Sequence, residues 1–357
     1  MFNLTALQLR FTSEAITPIR LNGYSAGSQL RGALGNVMRR AYCPEADHFS
    51  ARNLHLAAGN GRRPDPEHVA TCPVCWLLAA NEHPGEERRG YALVPPRSSP
   101  SETGEGVYQP GQRFDFGLTL FGDALRFLPY FILAVPEIGR SGVGSGRGQF
   151  ALRAVSAIDP LDGSDQIVLA EGESLVHVPD RTITAERVQQ AADRLVPSDR
   201  VSVTFVTPMR LIDEQRLVKA PDFGVLFKRM LERLDELNQQ FGGGEPRATQ
   251  EVQDLQTLAN QVRLIEAQTQ WIELQSGSSR SGRTTWLSGF VGSAMYAAPF
   301  GVWRALLPWL LWGAIAQAGK DVVKGNGVFE VVTSVERQVG GHESHNEQPM
   351  ATNQGKL

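Results

Sequence analysis

The run from Thr284 to Val332 limits most tightly what this chain can fold into. It reads TTWLSGFVGSAMYAAPFGVWRALLPWLLWGAIAQAGKDVVKGNGVFEVV. Trp286 to Tyr296 is strand-like, with two glycines that admit a neighbouring backbone. Val302 to Ala318 is an apolar helical run with three tryptophans and an internal Pro308. Gly319, Lys320, Lys324, Gly325, Asn326 and Gly327 then form a short basic loop, which passes directly into a strand at Val328 to Val332. A helix that ends in a cationic glycine loop beside a strand presents both charge and bare N–H groups to a phosphate. The alternative for the two lysines is a solvated turn. The apolar run is shorter than the roughly 20 residues a spanning helix needs, and Arg304 interrupts it.

The preceding 283 residues contain a similar series. Asn3 to Phe11 alternates as a strand, with Leu7, Leu9 and Phe11 on one face and Leu4 and Ala6 on the other. Ser28 fits the N-cap of a helix over Gln29 to Tyr42, with Leu30, Ala33, Leu34, Val37 and Met38 as its core stripe. From about 43 to 90 the pattern dissolves into Gly, Pro, Asn, His and charge, which predicts an insertion or long loop. Strands are expected at Tyr91 to Pro95 and Arg113 to Phe121, a helix at Ala124 to Ile138, a glycine loop at Gly139 to Gly148 and a strand at Gln149 to Ile158. That order is the βαββαβ unit. After a further strand at Gln166 to Glu171 and a linker over 172–199, it repeats. Val201 to Leu211 is a strand, Asp222 to Phe241 and Gln250 to Ile265 are helices, and Gln268 to Gln275 pairs with Thr284 to Ala297. The sequence therefore predicts an α+β protein of two ferredoxin-like domains, at 1–171 and 200–334, followed by a polar, disordered tail over 335–357.

Both units carry glycines between their second helix and last strand. Gly142, Gly144, Gly146 and Gly148 alternate, but a dinucleotide fingerprint needs a strand before it and a helix after it. Here the order is reversed, so no nucleotide cofactor is expected. The loop is either a flexible turn or a place where nucleic-acid backbone approaches, with Arg140 and Arg147 beside it. A net charge of −3 confines any such binding to local patches. Without a secretory signal at its N-terminus, the chain is expected in the cytoplasm, away from membranes.

Specific stretches resemble the CRISPR-associated protein 6 family, endoribonucleases that process precursor CRISPR RNA. These are Thr204 to Leu211 (TFVTPMRL), Pro221 to Phe223, Gly289 to Gly292, and Gly319, Lys320, Gly325, Asn326, Gly327 and Phe329. The resemblance implies tandem ferredoxin-like domains that bind CRISPR repeat RNA at the glycine loops and in the interdomain cleft, and it extends to a CRISPR effector complex as partner. It also implies cleavage without a catalytic cofactor: the RNA 2′-hydroxyl attacks its own 3′ phosphate, leaving a 2′,3′-cyclic phosphate and a 5′-hydroxyl. No carboxylate cluster of the two-metal type is visible. A non-catalytic RNA-binding subunit of the same superfamily is the alternative.

Many members of the family carry a histidine in or just after the first helix, with a tyrosine ahead of it. Here the nearest candidates are His48, beyond the helix, and Tyr24, before it; Arg39, with Arg40, would clamp phosphate. A solvated loop histidine, a packing tyrosine and an ordinary charged helix face are the respective alternatives. Cys72-Pro-Val-Cys75 has the spacing of half a zinc site. Cys43 would be a third ligand of a structural zinc, and His48, His55 or His68 a fourth. Buried thiols without a metal are the alternative. His48 cannot serve both roles.

Overall fold

Alternation in the first ordered segment produces β1, Ala6–Ala15, at the centre of a sheet. The structure, a computed structural model, describes residues 1–44, 66–78, 88–97, 105–195, 199–277 and 284–333. Around β1 lie β3 (Tyr91–Val94), β5 (Arg113–Phe121), β6 (Phe150–Ile158) and β7 (Asp165–Leu169), in the order β3-β5-β1-β6-β7. β1 pairs antiparallel with both β5 and β6. Two helices cover one face: α1, Ala26–Tyr42, follows β1 and a short β2 (Ile19–Asn22), and a later helix spans Leu128–Ser141. The apolar stripe predicted for α1 is inside, with Leu30, Leu34, Val37 and Met38 buried. The region expected as an insertion or long loop from 43 to 90 contains α2 (Pro66–Thr71) and α3 (Pro73–Leu78) among its described residues. Val74, Cys75, Leu77 and Leu78 of α3 enter the first core. With α2 and α3 placed, the helix at Leu128–Ser141 is α4; Pro129 sits in its first turn, where a proline costs little. β4, Glu105–Tyr108, pairs with β2 in a separate two-stranded sheet.

The linker expected at 172–199 contains α5, Ala185–Arg194, whose Val188, Ala191 and Ala192 are buried. Thr184 caps it, accepting a hydrogen bond from the Arg187 N–H. Beyond it the same topology recurs. β8 (Arg200–Met209) pairs with β14 (Gly289–Ala297) and with β15 (Phe329–Thr333), and β11 (Arg263–Ile272) completes the order β11-β14-β8-β15. β9 (Leu211–Asp213) and β10 (Arg216–Val218) form a small hairpin after β8, and β12 (Gln275–Gly277) pairs with β13 (Thr284–Trp286). The helices are α6 (Phe223–Phe241), capped by Asp222, α7 (Thr249–Ala259) and α8 (Phe300–Ala316). α7 ends earlier than expected. Leu264 and Ile265 lie on the edge strand β11, roughly half exposed, where apolar spacing alone did not separate helix from strand. Trp303 and Trp312 of α8 are buried, as expected of a core helix. Among the described residues no helix is long and apolar enough to cross a membrane.

The off-parity residues at the start of the chain have a physical explanation. Leu4 and Ala6 are buried in the second core, whereas Leu7, Leu9 and Phe11 belong to the first. The chain start is therefore covered on both faces, and Ala6 exchanges backbone hydrogen bonds with Ile183 at 2.9 and 2.8 Å. Around this joint, Arg88 pairs with Glu236, and buried Arg233 donates its Nε to the Ala316 carbonyl at 3.0 Å. Burial pulls Arg233 down to about 9, which leaves its guanidinium charged at neutral pH.

Candidate nucleic-acid interface

Glycine has weak helix propensity, so the sequence places Gly27 before the first helix and Ser28 at its cap. The helix in fact begins at Ala26, with Ser25 as N-cap, after a 3-10 turn over Gly23–Ser25 that holds Tyr24 half-buried. A tertiary contact explains the difference. A Cβ on Gly27 would lie 2.2 Å from the Lys324 carbonyl oxygen and 3.0 Å from the Gly325 Cα. The second glycine loop, from the other domain, rests directly on the first turn of α1. Val323 of that loop packs against the first core while Val322 is buried in the second. The loop is thus a clasp between domains.

That role uses up most of the loop residues expected to meet RNA. Asn326 is fully buried and donates its Nδ2 to the Leu287 carbonyl at 2.8 Å. Lys324 pairs with Asp321 at 2.8 Å, with both side chains largely buried. Gly325 abuts Pro95 of the first domain, and Gly327 turns close over the Ala318 carbonyl. Lys320 differs: it is exposed, and its backbone N–H is held by the Arg210 carbonyl at 3.0 Å. Lys320 is the cation that this loop offers to solvent.

The first glycine loop folds against its own domain. Ser145 donates its N–H to the Arg20 carbonyl on β2 at 3.1 Å, and Val143 bridges Gly148. A Cβ on Gly144 would lie 2.1 Å from that same Arg20 oxygen, so this glycine serves backbone packing. Gly146, at φ +84°, has nothing within 4 Å and lies at the exposed tip beside Arg147. Arg140, which ends α4, is ion-paired with Glu137 at 2.6 Å. Besides the ion-paired but exposed Arg140, the exposed cations on this side are Arg147 and Arg20, alongside Tyr24. Arg39 is half-buried in the last turn of α1 and Arg40 is exposed there. His48 and His55 lie outside the described residues.

The cleft between the domains is a different surface. Its volume is ≈ 970 Å³, between β1 and β5 of one sheet and α8 and β15 of the other. Three arginines line it, and each is paired: Arg10 with Asp165 at 2.7 Å, Arg113 with Glu171 at 2.9 Å, and Arg97 with Glu330 across the gap. Hydrogen bonding from Arg153, with Arg113 nearby, holds the neighbouring Glu14 carboxyl below its usual range. The arginines expected to hold phosphate in this cleft already have anionic partners.

At the far end of α1 the three cysteines converge. Cys43 is its C-cap, Cys72 separates α2 from α3, and Cys75 lies within α3. Their sulfurs and a ring nitrogen of His68 all lie within 4.8 Å of one another. Of the three histidines the sequence left open, His68 is the one seen in this group. Its four-residue spacing from Cys72 was the available signal, since positions four apart share a helical face. Burial first, and hydrogen bonding with Cys43 second, push the Cys75 thiol up.

Comparison with known proteins then places this geometry. Residues 203–329 match the family described as CRISPR-associated endoribonuclease Cas6, and residues 4–181 match a family described as an N-terminal domain. No curated protein matches the chain in sequence. Among solved structures, a Cas6 product complex is 16% identical with a TM-score of 0.53, covering 92% of this chain and 100% of that one. Thermus thermophilus Cas6 is 13% identical with a TM-score of 0.53, covering 92% and 99%. A partial Cas6-RT-Cas1–Cas2 complex is 13% identical with a TM-score of 0.56, covering 98% of this chain and 48% of that one. Likeness at such identities establishes the shared fold.

Proposed function

We propose that this chain, whose residues 203–329 match the Cas6 family of CRISPR-associated endoribonucleases, binds CRISPR repeat RNA and cuts precursor CRISPR RNA once within each repeat. The carrying observation is the clasp, in which the basic glycine loop of one domain is seated on the first turn of α1 in the other, a turn away from Tyr24. RNA backbone crossing this junction meets Lys320 on one side and Arg147 and Arg20 on the other, all exposed. Cations fixed in place stabilise phosphate charge without reorganising.

In the proposed reaction the 2′-hydroxyl attacks the adjacent phosphorus. A base takes its proton, the P–O5′ bond breaks, and the departing 5′ oxygen receives a proton. The products are a 2′,3′-cyclic phosphate and a 5′-hydroxyl. His48 is the proposed base and Tyr24 a positioning or proton-donating group, whereas Arg39, in the last turn of α1 and about 18 Å along the helix from Gly27, is proposed to hold a phosphate further along the RNA. In this scheme the catalytic step needs no divalent ion.

Repeat RNA incubated with the protein in EDTA should be cut at a fixed position. RNA with a single 2′-deoxy sugar at that position should bind equally well and remain intact. Cutting of the deoxy substrate would rule out the mechanism. Tight binding with no cut in either substrate would support the second reading, a non-catalytic RNA-binding subunit. The absence of histidine from Ala26–Tyr42 keeps that reading open.

A further inference from the structure

The group at the end of α1 has no part in the RNA chemistry above, and its donor set and spacing point to a metal. Cys43 Sγ lies 3.7 Å from Cys75 Sγ and 3.5 Å from His68 Nε2. A tetrahedral zinc with Zn–S of about 2.3 Å and Zn–N of about 2.05 Å requires S···S edges of about 3.8 Å and S···N edges of about 3.5 Å. These two distances fit both edges, and all four ligand atoms lie within 4.8 Å of one another. The Cys43–Cys75 separation is far too long for a disulfide, whose sulfurs sit about 2.05 Å apart. We infer that Cys43, His68, Cys72 and Cys75 bind one structural zinc ion that fastens the end of α1 to the helix pair α2–α3.

The local fold delivers the ligands for ordinary helical reasons. Cys72 donates its N–H to the His68 carbonyl at 2.8 Å, and Trp76 donates to the Cys72 carbonyl at 2.9 Å. The helical ladder therefore runs through the break between α2 and α3, bringing His68, Cys72 and Cys75 to one side across two turns. The fourth ligand comes from the C-cap of α1, where the Cys43 N–H bonds to the Arg39 carbonyl at 3.1 Å. All three cysteines are at most 5% exposed. Four protein donors fill a tetrahedron and leave no place for water or substrate, so the site is structural rather than catalytic. Zinc fits three thiolates and one imidazole better than calcium or magnesium, which take oxygen ligands.

The fastening has a mechanical consequence. Trp76, beside Cys75, packs 5.0 Å from Phe127 of the first domain and 5.5 Å from Phe241 of the second, ring centre to ring centre. It touches both cores. Zinc would therefore tie α1 to the element wedged between the domains, and join the chain on either side of residues 45–65, which carry His48. It also commits His68 to the metal.

The test needs no RNA, so its outcome is independent of the cleavage reading. Full-length protein purified without added metal should contain about one zinc per chain by elemental analysis. Blocking its thiols with a mercurial should release that zinc to a chromogenic chelator. Cobalt(II) in its place should give thiolate-to-metal charge transfer with the visible bands of tetrahedral coordination. His68→Ala should lose most of the zinc, whereas His68→Cys, which completes a four-thiolate set, should retain it and shift the cobalt spectrum. Folded wild-type protein with less than about a tenth of an equivalent of zinc and three thiols open to titration would overturn the proposal. So would another metal in stoichiometric amount, or zinc retained in full by both His68→Ala and Cys72→Ser. The wild-type measurements stand even if a variant fails to fold.

Discussion

The two glycine loops occupy the same position in two copies of one topology, between the second helix and the last strand, yet their backbones face different partners. The loop at Gly142–Gly148 folds onto β2 of its own domain, and its tip carries an exposed arginine. The loop at Gly319–Gly327 crosses to the other domain and lies on α1. In both, the missing side chains admit protein backbone. A glycine-rich, basic loop in this position is thus chiefly a packing device, and under the proposed function its contribution to RNA binding would come from the few cations left at its rim.

The strongest way to break this comparison is to add one methyl group on the first turn of α1. Ala is the better helix former, so Gly27→Ala on an unconstrained helix would stabilise by roughly 1 kcal/mol. Here the methyl would meet the Lys324 carbonyl at 2.2 Å, and forcing the clasp open should cost about 3 kcal/mol, lowering the denaturation midpoint. Gly32→Ala on the same helix has nothing within 4 Å and should stabilise slightly. Opposite signs in urea melts of the two variants are expected; matching signs would mean that the loop does not rest on α1. Gly146→Ala, an open position with positive φ, should cost about 1 kcal/mol and leave the clasp intact.

A smaller effect sharpens the distinction between packing and binding. Asn326 is the most polar-looking candidate in the second loop, but its amide is engaged inside the protein with Leu287. Asn326→Ala should cost about 2 kcal/mol of stability through the buried carbonyl left unpaired. At temperatures where the variant is folded, RNA affinity and its salt dependence should match wild type by filter binding. A variant with native stability but weakened RNA binding would return Asn326 to the interface.

Much of the architecture was legible because two periods carry it. Alternation found β1 and β5, and the wide apolar stripe of α6 marked that helix over Asp222 to Phe241, where Asp222 proves to be its N-cap. What sequence missed was set by tertiary packing. Gly27 reads as a loop residue until the Lys324 carbonyl above it is seen. α5 was hidden because only Val188, Ala191 and Ala192 of its mostly polar length are buried. Lys320 and Lys324 are indistinguishable in sequence, whereas Asp321, three residues before Lys324, decides which of them is paired. For the cysteines, the sequence named Cys43 with the Cys72–Cys75 pair, and the fold shows their sulfurs gathered with a ring nitrogen of His68, which sequence could not single out from His48 and His55.

The smallest expected effect compares the cations directly. Removing one cation that touches a phosphate of single-stranded RNA should lower the slope of log affinity against log salt by about 0.7. Lys320→Ala and Arg147→Ala each remove an exposed cation from the rim of one loop, so each should reduce the slope by about that amount, and the double variant by about 1.4. Lys324→Ala removes a charge already neutralised by Asp321 at 2.8 Å. Its slope should stay at the wild-type value while stability falls by about 1–2 kcal/mol, above the scale of an exposed pair because the largely buried Asp321 loses its partner. Because all three substitutions change net charge by the same unit, a general electrostatic effect would move their slopes together. Separation of Lys320 and Arg147 from Lys324 is the signature of direct phosphate binding. Equal shifts in all three would mean that the Lys324–Asp321 pair opens to meet RNA and that both loops bind through more of their length than their packed backbones suggest.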